Sequence, residues 1–494
     1  MPTKPDDTLI RGSFTVDCLD EEVEIAVLSD VPHLLKNSRN GLMKHKEWIV
    51  HPAHVRKYRL PTDKIKWEVL ERAARFIHEK ELKIAPHLKL EYFDLNNFSK
   101  MNVLPAKWVF SHETGTAIEF LVKYYPDLFP ETDLTTAHFC KMYGKFYDLA
   151  TSRTPRFSFH KDHLEENCVF IEEFCHYFKF LKVSPKQKNS YWKFQRATIL
   201  SCDSLIWLAK HMVEKEGYDF FLGGRVTNDS VENLHSVIRG YDPKPTPINY
   251  KRYLKAVTMT QFLKPVTNVN NMAYESDHEE NSRFLIDFND CKSVVKEVAE
   301  DFEEDEEYFN SIGYNPEDFT EKNSLSYVGG YMLRKTIYYG KSQCDACTEK
   351  FIDKSGEKDQ ESNTLINMRE YTDGCMISPS RSANLIFDIA EGVFRDKRES
   401  IKKKSGICNA LTNLAMTSIQ TQLPNIPVCH LKLILTRFLS SRLHFYASFR
   451  NKKKQKKQAH IIESEAFGAK PHAADVLIAK KNPKRTSKKA PKKV

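Results

Sequence analysis

The chain has 494 residues and a net charge of +9, with 41% apolar, 29% charged and 12% aromatic residues. That length is too great for one compact core, so roughly two to four domains are expected, and the composition excludes wholesale disorder and collagen-like chains. No run of about 18 apolar residues occurs, which excludes a membrane-spanning helix; the opening MPTKPDDTLIRGS lacks the apolar stretch of a signal peptide, so the eleven cysteines are expected to stay reduced.

The opening thirteen residues read as unstructured. SFTVDCLDEEVEIAVLSD then carries one strand, Glu24 to Ser29, apolar and short as a buried strand is. Asp30 and Pro32 sit where a helix begins, with Leu34, Leu35 and Leu42 as its apolar face. From about Asp63 to Lys210 the pattern is helical: KWEVLERAARFIHEKEL, AKWVFSHETGTAIEFLVKYY, TTAHFCKMYGKFYDLATSR and ATILSCDSLIWLAKHMVEKE repeat apolar residues every three or four positions. A Gly223-Gly224 turn precedes RVTNDSVENLHSVIRG, another short helix, and three prolines break the chain before YKRYLKAVTMTQFL. From Glu275 to Asp318 sixteen acids stand against three basic residues, the signature of an acidic linker. A last globular region runs from about Ser324 to Arg450 and includes LKLILTRFLSSRLHFYASF, an amphipathic helix. Beyond it, counting from Arg450, fifteen Lys/Arg stand against three acids, which reads as a disordered basic tail.

Several residues can carry chemistry. Asp229 and Glu232 lie three apart on a helix, so both carboxylates can meet one cation, while the same spacing suits Asp229 as an N-cap with Glu232 reaching back. Val231, Leu234, Val237 and Ile238 are expected to face the core. Asp30, between strand and helix, is placed either to hold a divalent ion or to cap the helix. Cys344-x-x-Cys347 has half of a zinc site's spacing; Cys375, Cys408, Cys429 or His430 can complete it, although the adjacency of the last two makes their sharing one metal awkward. Lys89, Lys100 and Lys107 read as a solvated face. The tail can neutralise phosphates or serve as a nuclear import signal.

Five segments, in order, resemble P element-type transposases. LSDVPHLLKNSRNGL resembles the segment bearing their second catalytic acid. FSKMNVLPAKWVFSHETGTAIEFL, FYDLATSR, GGRVTNDSVENLHSVIRG and SYVGGYMLRKTIYYGKSQCDAC resemble further segments of the same proteins; the five lie between Leu28 and Cys347, and the resemblance is taken to extend over roughly Glu22 to Asn451. The resemblance implies a fold that is mostly α with a partial α/β RNase H-like core interrupted by a helical GTP-binding insertion domain. Carried over by motif, Asp30 and Glu232 are catalytic Mg²⁺ ligands meeting across a small β-layer. Asp229 assists them, and Asp148 faces a guanine base, whose two adjacent N–H donors a carboxylate accepts.

The implied boundaries are 1–60 for a partial RNase H-like segment, 61–215 for the insertion, 216–270 for the return with the acidic helix, 271–323 for the linker, 324–450 for a C-terminal helical domain with a possible zinc knuckle, and 451–494 for the tail. Only 29 residues precede Asp30, too few for the first RNase H strands and their acid, and no THAP zinc finger is visible. Asn228, His235, Tyr147 and Thr151 depart from the family pattern, and no glycine-rich phosphate loop is present. The expectation is therefore a truncated or domesticated DNA transposase. Its Mg²⁺-dependent strand cleavage and transfer are impaired, GTP serves as an assembly cofactor, and it sits in the nucleus as an oligomer on DNA, away from membranes. The alternatives are a non-catalytic nuclear DNA- or chromatin-binding protein and a guanine-nucleotide-binding module acting alone.

Overall fold

A computed structural model describes residues 12–18, 21–95, 100, 102–184, 191–242, 244–263, 318–338, 344–353, 361–370, 376–397 and 406–447. Of the expected linker 271–323 only residues 318–323 are described, and from Phe319 on they are the start of a helix rather than linker; the rest of the acidic segment and the basic tail lie outside the described residues. The chain divides into two compact units, one comprising Met1–Ala273, Asn315–Tyr331 and Phe351–Asn384, the other Tyr274–Tyr314, Met332–Lys350 and Leu385–Val494.

The first unit opens with an antiparallel hairpin of β1 (Ser13–Cys18) and β2 (Glu21–Ala26). The expected buried strand Glu24–Ser29 is corrected on both counts. It starts three residues earlier, and Phe14, Val16, Val23 and Ile25 are all exposed. The hairpin is tied down by its ends: Ser204 Oγ donates to Gly12 O at 2.8 Å, and Gly12 N donates to Asp203 Oδ2 at 2.6 Å.

Helix α1 (Val31–His45) begins where Asp30 accepts from the His33 amide and Pro32 pre-sets the first turn; it ends at Lys46, which is left-handed with φ 64°. Leu34, Leu35 and Leu42 are buried on it, as the spacing predicts. The chain continues through β3 (Glu47–Ile49), α2 (Pro52–Lys57), β4 (Lys64–Lys66) and α3 (Trp67–His78). The segment expected as one helix over AKWVFSHETGTAIEFLVKYY is two, α4 (Val103–Val109) and α5 (His112–Tyr124). Ser111 interrupts it, its Oγ accepting from Thr114 N at 3.0 Å and so starting a new helix.

Helices α6 (Leu134–Ala150), α7 (Leu164–Phe180) and α8 (Lys193–Lys210) complete the block, with a short β5 (Phe159–His160) paired to β6 (Phe220–Phe221). Their core is aromatic. Trp48, Phe139, Tyr143, Phe146, Phe174 and Phe178 are buried in edge-to-face and stacked contacts, and Tyr143 OH reaches Ser38 Oγ on α1 at 2.9 Å. Buried Gln195 donates from Nε2 to Phe178 O and Leu181 O, satisfying carbonyls that the end of α7 leaves free.

Then come α9 (Asp229–Tyr241) and α10 (Pro247–Leu263). On α9 only part of the expected apolar face is inward: Ile238 is buried, but Val231 and Val237 are exposed. Later segments are α11 (Phe319–Leu333), α12 (Asp345–Phe351), α13 (Thr364–Arg369), α14 (Arg381–Lys397), α15 (Ile407–Gln422) and α16 (431–447). Within the first unit, buried Arg369 on α13 donates to Ile84 O at 2.5 Å and lies 3.5 Å from Glu113, whose carboxylate also meets His87 at 2.9 Å. Within the second, Glu391 on α14 is fully buried against Arg442 of α16.

The protein is mostly helical. Among the described residues each sheet is a two-stranded antiparallel pair, so the expected meeting of Asp30 and Glu232 across a β-layer is replaced by a junction of helix ends. No described helix is long and apolar enough to cross a membrane.

Candidate functional site

Three segments build the junction. The C-terminal end of α6 presents Ser152 and Arg153. Ser152 Oγ accepts from Gly223 N at 3.0 Å, and Ser152 O accepts from Gly224 N at 3.0 Å. The Gly-Gly turn is required by this close approach, since a Cβ at Gly223 would lie 2.5 Å from Ala150 O. Arg153 then grips Asp229 Oδ2 at 2.5 Å, so the first residue of α9 is fixed to α6.

That docking carries the start of α9 to the start of α1. Asp30 Oδ1 accepts from Asn228 N at 3.0 Å while Oδ2 accepts from His33 N at 3.3 Å, so one carboxylate receives amides nearly two hundred residues apart. One turn into α9, Glu232 Oε1 lies 2.8 Å from His33 Nε2, and that same nitrogen is 3.8 Å from Asp30 Oδ2. One ligand atom from each of Asp30, His33 and Glu232 lies within 4.8 Å of the others. The hydrogen bond from His33 and its positive potential, outweighing desolvation, hold the Glu232 carboxyl below the usual carboxylate range. Asp30 is nearly covered, its side chain 8% exposed, whereas His33 and Glu232 are about half open to solvent.

Sequence-derived residues are thus partly assembled. Asp30 and Glu232 come together; Asp229 does not join them, because its carboxylate is turned to Arg153, and Asn228 stands at the N-cap position expected for Asp229. His33 was missed as a ligand although it lies three residues after Asp30, on the same helical face. Two carboxylates and an imidazole fit one divalent ion, and the nitrogen donor suits Mn²⁺ better than the strictly oxygen-seeking Mg²⁺.

Asp148 lies on α6, partly buried, and no hydrogen bond or ion pair reaches its carboxylate among the described residues. Desolvation pushes its carboxyl up to about 6, with the Lys107 charge pulling the other way. An unpaired, desolvated acid is unusual in a purely structural place. Of the helical-block lysines, Lys89 and Lys107 sit over the rings of Tyr92 and Trp108.

In the second unit Cys344, Cys347, Cys429 and His430 also converge within 4.8 Å. Cys408 is engaged elsewhere, 3.0 Å from Ser440 Oγ, and Cys375 lies outside the described residues.

Fold and site define a helical protein with a carboxylate–imidazole centre at a junction of helix ends. Comparison with known proteins places it further. Residues 32–163 match the family described as TNP-like, GTP-binding insertion domain, and residues 315–448 match the family described as DNA transposase THAP9, C-terminal domain. A transposable element P transposase of Drosophila melanogaster is 22% identical over 333 residues, which are 64% of this chain and 41% of that protein. A solved Drosophila P element transposase strand transfer complex is similar with a TM-score of 0.44 and 21% identity, over 51% of this chain and 56% of that one. Over these segments the chain is similar to P element-type transposases, and it spans less than half the length of the curated relative it matches.

Proposed function

We propose that the chain is a P element-like DNA transposase derivative that binds DNA and GTP and holds a divalent cation, Mg²⁺ or Mn²⁺, at Asp30, His33 and Glu232. The observation that carries this reading is the convergence of Asp30 and Glu232 from distant parts of the chain onto one imidazole. A bound cation supplies Lewis-acid stabilisation to a phosphodiester under attack. The chain's own residues do the positioning. Asp30 locks α1 to α9, Arg153 fixes the register of α9 through Asp229, and Glu232 orients His33, which is about half exposed to solvent.

Among the described residues the cluster holds two carboxylates, a set that holds a second metal poorly, so cleavage and strand transfer at this cluster are expected to be weak. Purified protein incubated with DNA and Mg²⁺ or Mn²⁺ should nick slowly, and Glu232→Ala should abolish the product; product unchanged in the variant would remove the cluster from the chemistry.

A second reading has its own support. Both Asp30 oxygens accept backbone amides, and His33 closes onto Glu232, so the cluster also works as a clamp without any cation. On that reading the protein is a non-catalytic nuclear DNA- or chromatin-binding derivative, and DNA binding persists with no metal-dependent nicking. In either case the basic tail supplies most nonspecific DNA affinity and directs nuclear import, which a fluorescent fusion with and without residues 451–494 tests. Self-association on DNA is read by light scattering.

GTP is assigned to the helical block on the strength of the insertion-domain match and the lone Asp148 carboxylate. Titration with fluorescent GTP tests it: Asp148→Ala should lose affinity, and wild-type affinity in the variant would take Asp148 out of the site.

A further inference from the structure

The cysteine cluster of the second unit is not used by any of this chemistry. Cys344 stands just before α12 and Cys347 lies in its first turn, while Cys429 and His430 form the turn before α16. Cys347 Sγ is 3.1 Å from Cys429 Sγ and 3.5 Å from His430 Nδ1, and Cys344 Sγ is 3.6 Å from Cys429 Sγ.

We propose that Cys344, Cys347, Cys429 and His430 form a structural zinc site that ties residues 344–350 to the start of α16. A tetrahedron with Zn–S of about 2.3 Å and Zn–N of about 2.0–2.1 Å puts its ligand atoms roughly 3.5–3.8 Å apart, close to the separations seen. The adjacency of Cys429 and His430 is no obstacle. The turn before α16 leaves their backbone outside the helix, and both side chains reach Cys347.

Competing explanations fit less well. A disulfide needs sulfurs about 2.05 Å apart and leaves the third cysteine and the histidine without a part. Three thiolates are too soft a set for Mg²⁺ or Ca²⁺, and one histidine with three cysteines is a common zinc combination. Four protein ligands leave no open position, so the ion is structural. On binding, the three thiol protons pass to solvent as three Zn–S bonds form and neutral His430 donates its lone pair, with no change of oxidation state. A buried Cys347 and an exposed Cys429 place the ion near the surface, where it cross-links segments about eighty residues apart in sequence.

The test uses the full chain, purified under reducing conditions without chelator. Elemental analysis should find one zinc per chain, and Cys429→Ser and His430→Ala, each removing a direct ligand, should lower zinc affinity by more than the roughly 10–100-fold that loss of an outer-shell partner costs. Since a variant can fail simply by misfolding, wild-type protein is also reconstituted with Co²⁺, which should give the intense visible absorption of a tetrahedral thiolate site. Wild-type protein that takes up neither metal, or variants that keep full zinc stoichiometry and affinity, would overturn the assignment.

Discussion

Replacing Asp148 with Asn separates the structural cost of the carboxylate from its use. Its carboxyl is raised from an ordinary 3.8 to about 6 by desolvation, which corresponds to about 3 kcal/mol, an upper figure for a partly buried group. The folded state binds this proton more tightly than the unfolded state, so this group's own contribution to stability is fully present below about pH 4 and is lost as pH rises through about 6. Asp148→Asn removes the charge but keeps the shape. At pH 7 it should gain up to about 3 kcal/mol over wild type, and the gain should vanish near pH 4. Guanine recognition should suffer in the opposite sense. An amide donor set against guanine N–H leaves a donor unpaired, costing about 1–3 kcal/mol, and wild-type GTP affinity should itself weaken below about pH 6. Denaturant titration at both pH values, with fluorescent GTP binding alongside, measures both. Equal stability differences at the two pH values, or unaltered guanine preference in the variant, would refute the reasoning.

Two glycines should respond with opposite signs. Gly223→Ala forces a Cβ to 2.5 Å from Ala150 O and should cost about 1–3 kcal/mol while loosening α9, whereas Gly240→Ala, with nothing within 4 Å, should be neutral or stabilise by about 0.5–1 kcal/mol in denaturant titrations. In the second unit Glu391 receives Arg442 Nε at 2.8 Å and Arg442 NH2 at 2.7 Å, and it also pairs with Arg395. Glu391→Ala strands buried guanidinium charge and should cost about 3–5 kcal/mol by chemical denaturation. Deleting residues 451–494 should flatten the dependence of DNA affinity on salt, because released counterions scale with the phosphates neutralised; an unchanged slope moves the DNA contact elsewhere.

The helical character was legible because apolar spacing and caps agree. Asp30 and Pro32 start α1 where the pattern says, and Leu34, Leu35 and Leu42 are buried along it. What failed were features set by partners. The run from Glu24 to Ser29 reads as a buried strand, but composition does not reveal that its apolar side chains lie in an exposed hairpin with β1. Ser111 is one polar residue inside a helical period, and only its bond to Thr114 shows that it divides two helices. Val231 and Val237 match the period of a buried face, yet α9 is fixed by its first turn, through Asp30 and Arg153, and the two valines remain open. In the candidate site the acids were legible from motifs, whereas His33 was not singled out, because a histidine beside an N-cap looks ordinary until Glu232 is brought to it. Likewise Asp229 shares the spacing of a ligand pair with Glu232, and only the position of Arg153 decides that it is an anchor.

The junction of Asp30, His33 and Glu232 is tested most directly by binding Mn²⁺ and reading its electron spin echo for coupling to nitrogen. The geometry predicts one bound ion coupled to a histidine nitrogen, with the coupling lost in His33→Ala and the affinity reduced in Glu232→Gln. Mn²⁺ that binds without nitrogen coupling, or with the same affinity in Glu232→Gln as in wild type, would contradict it.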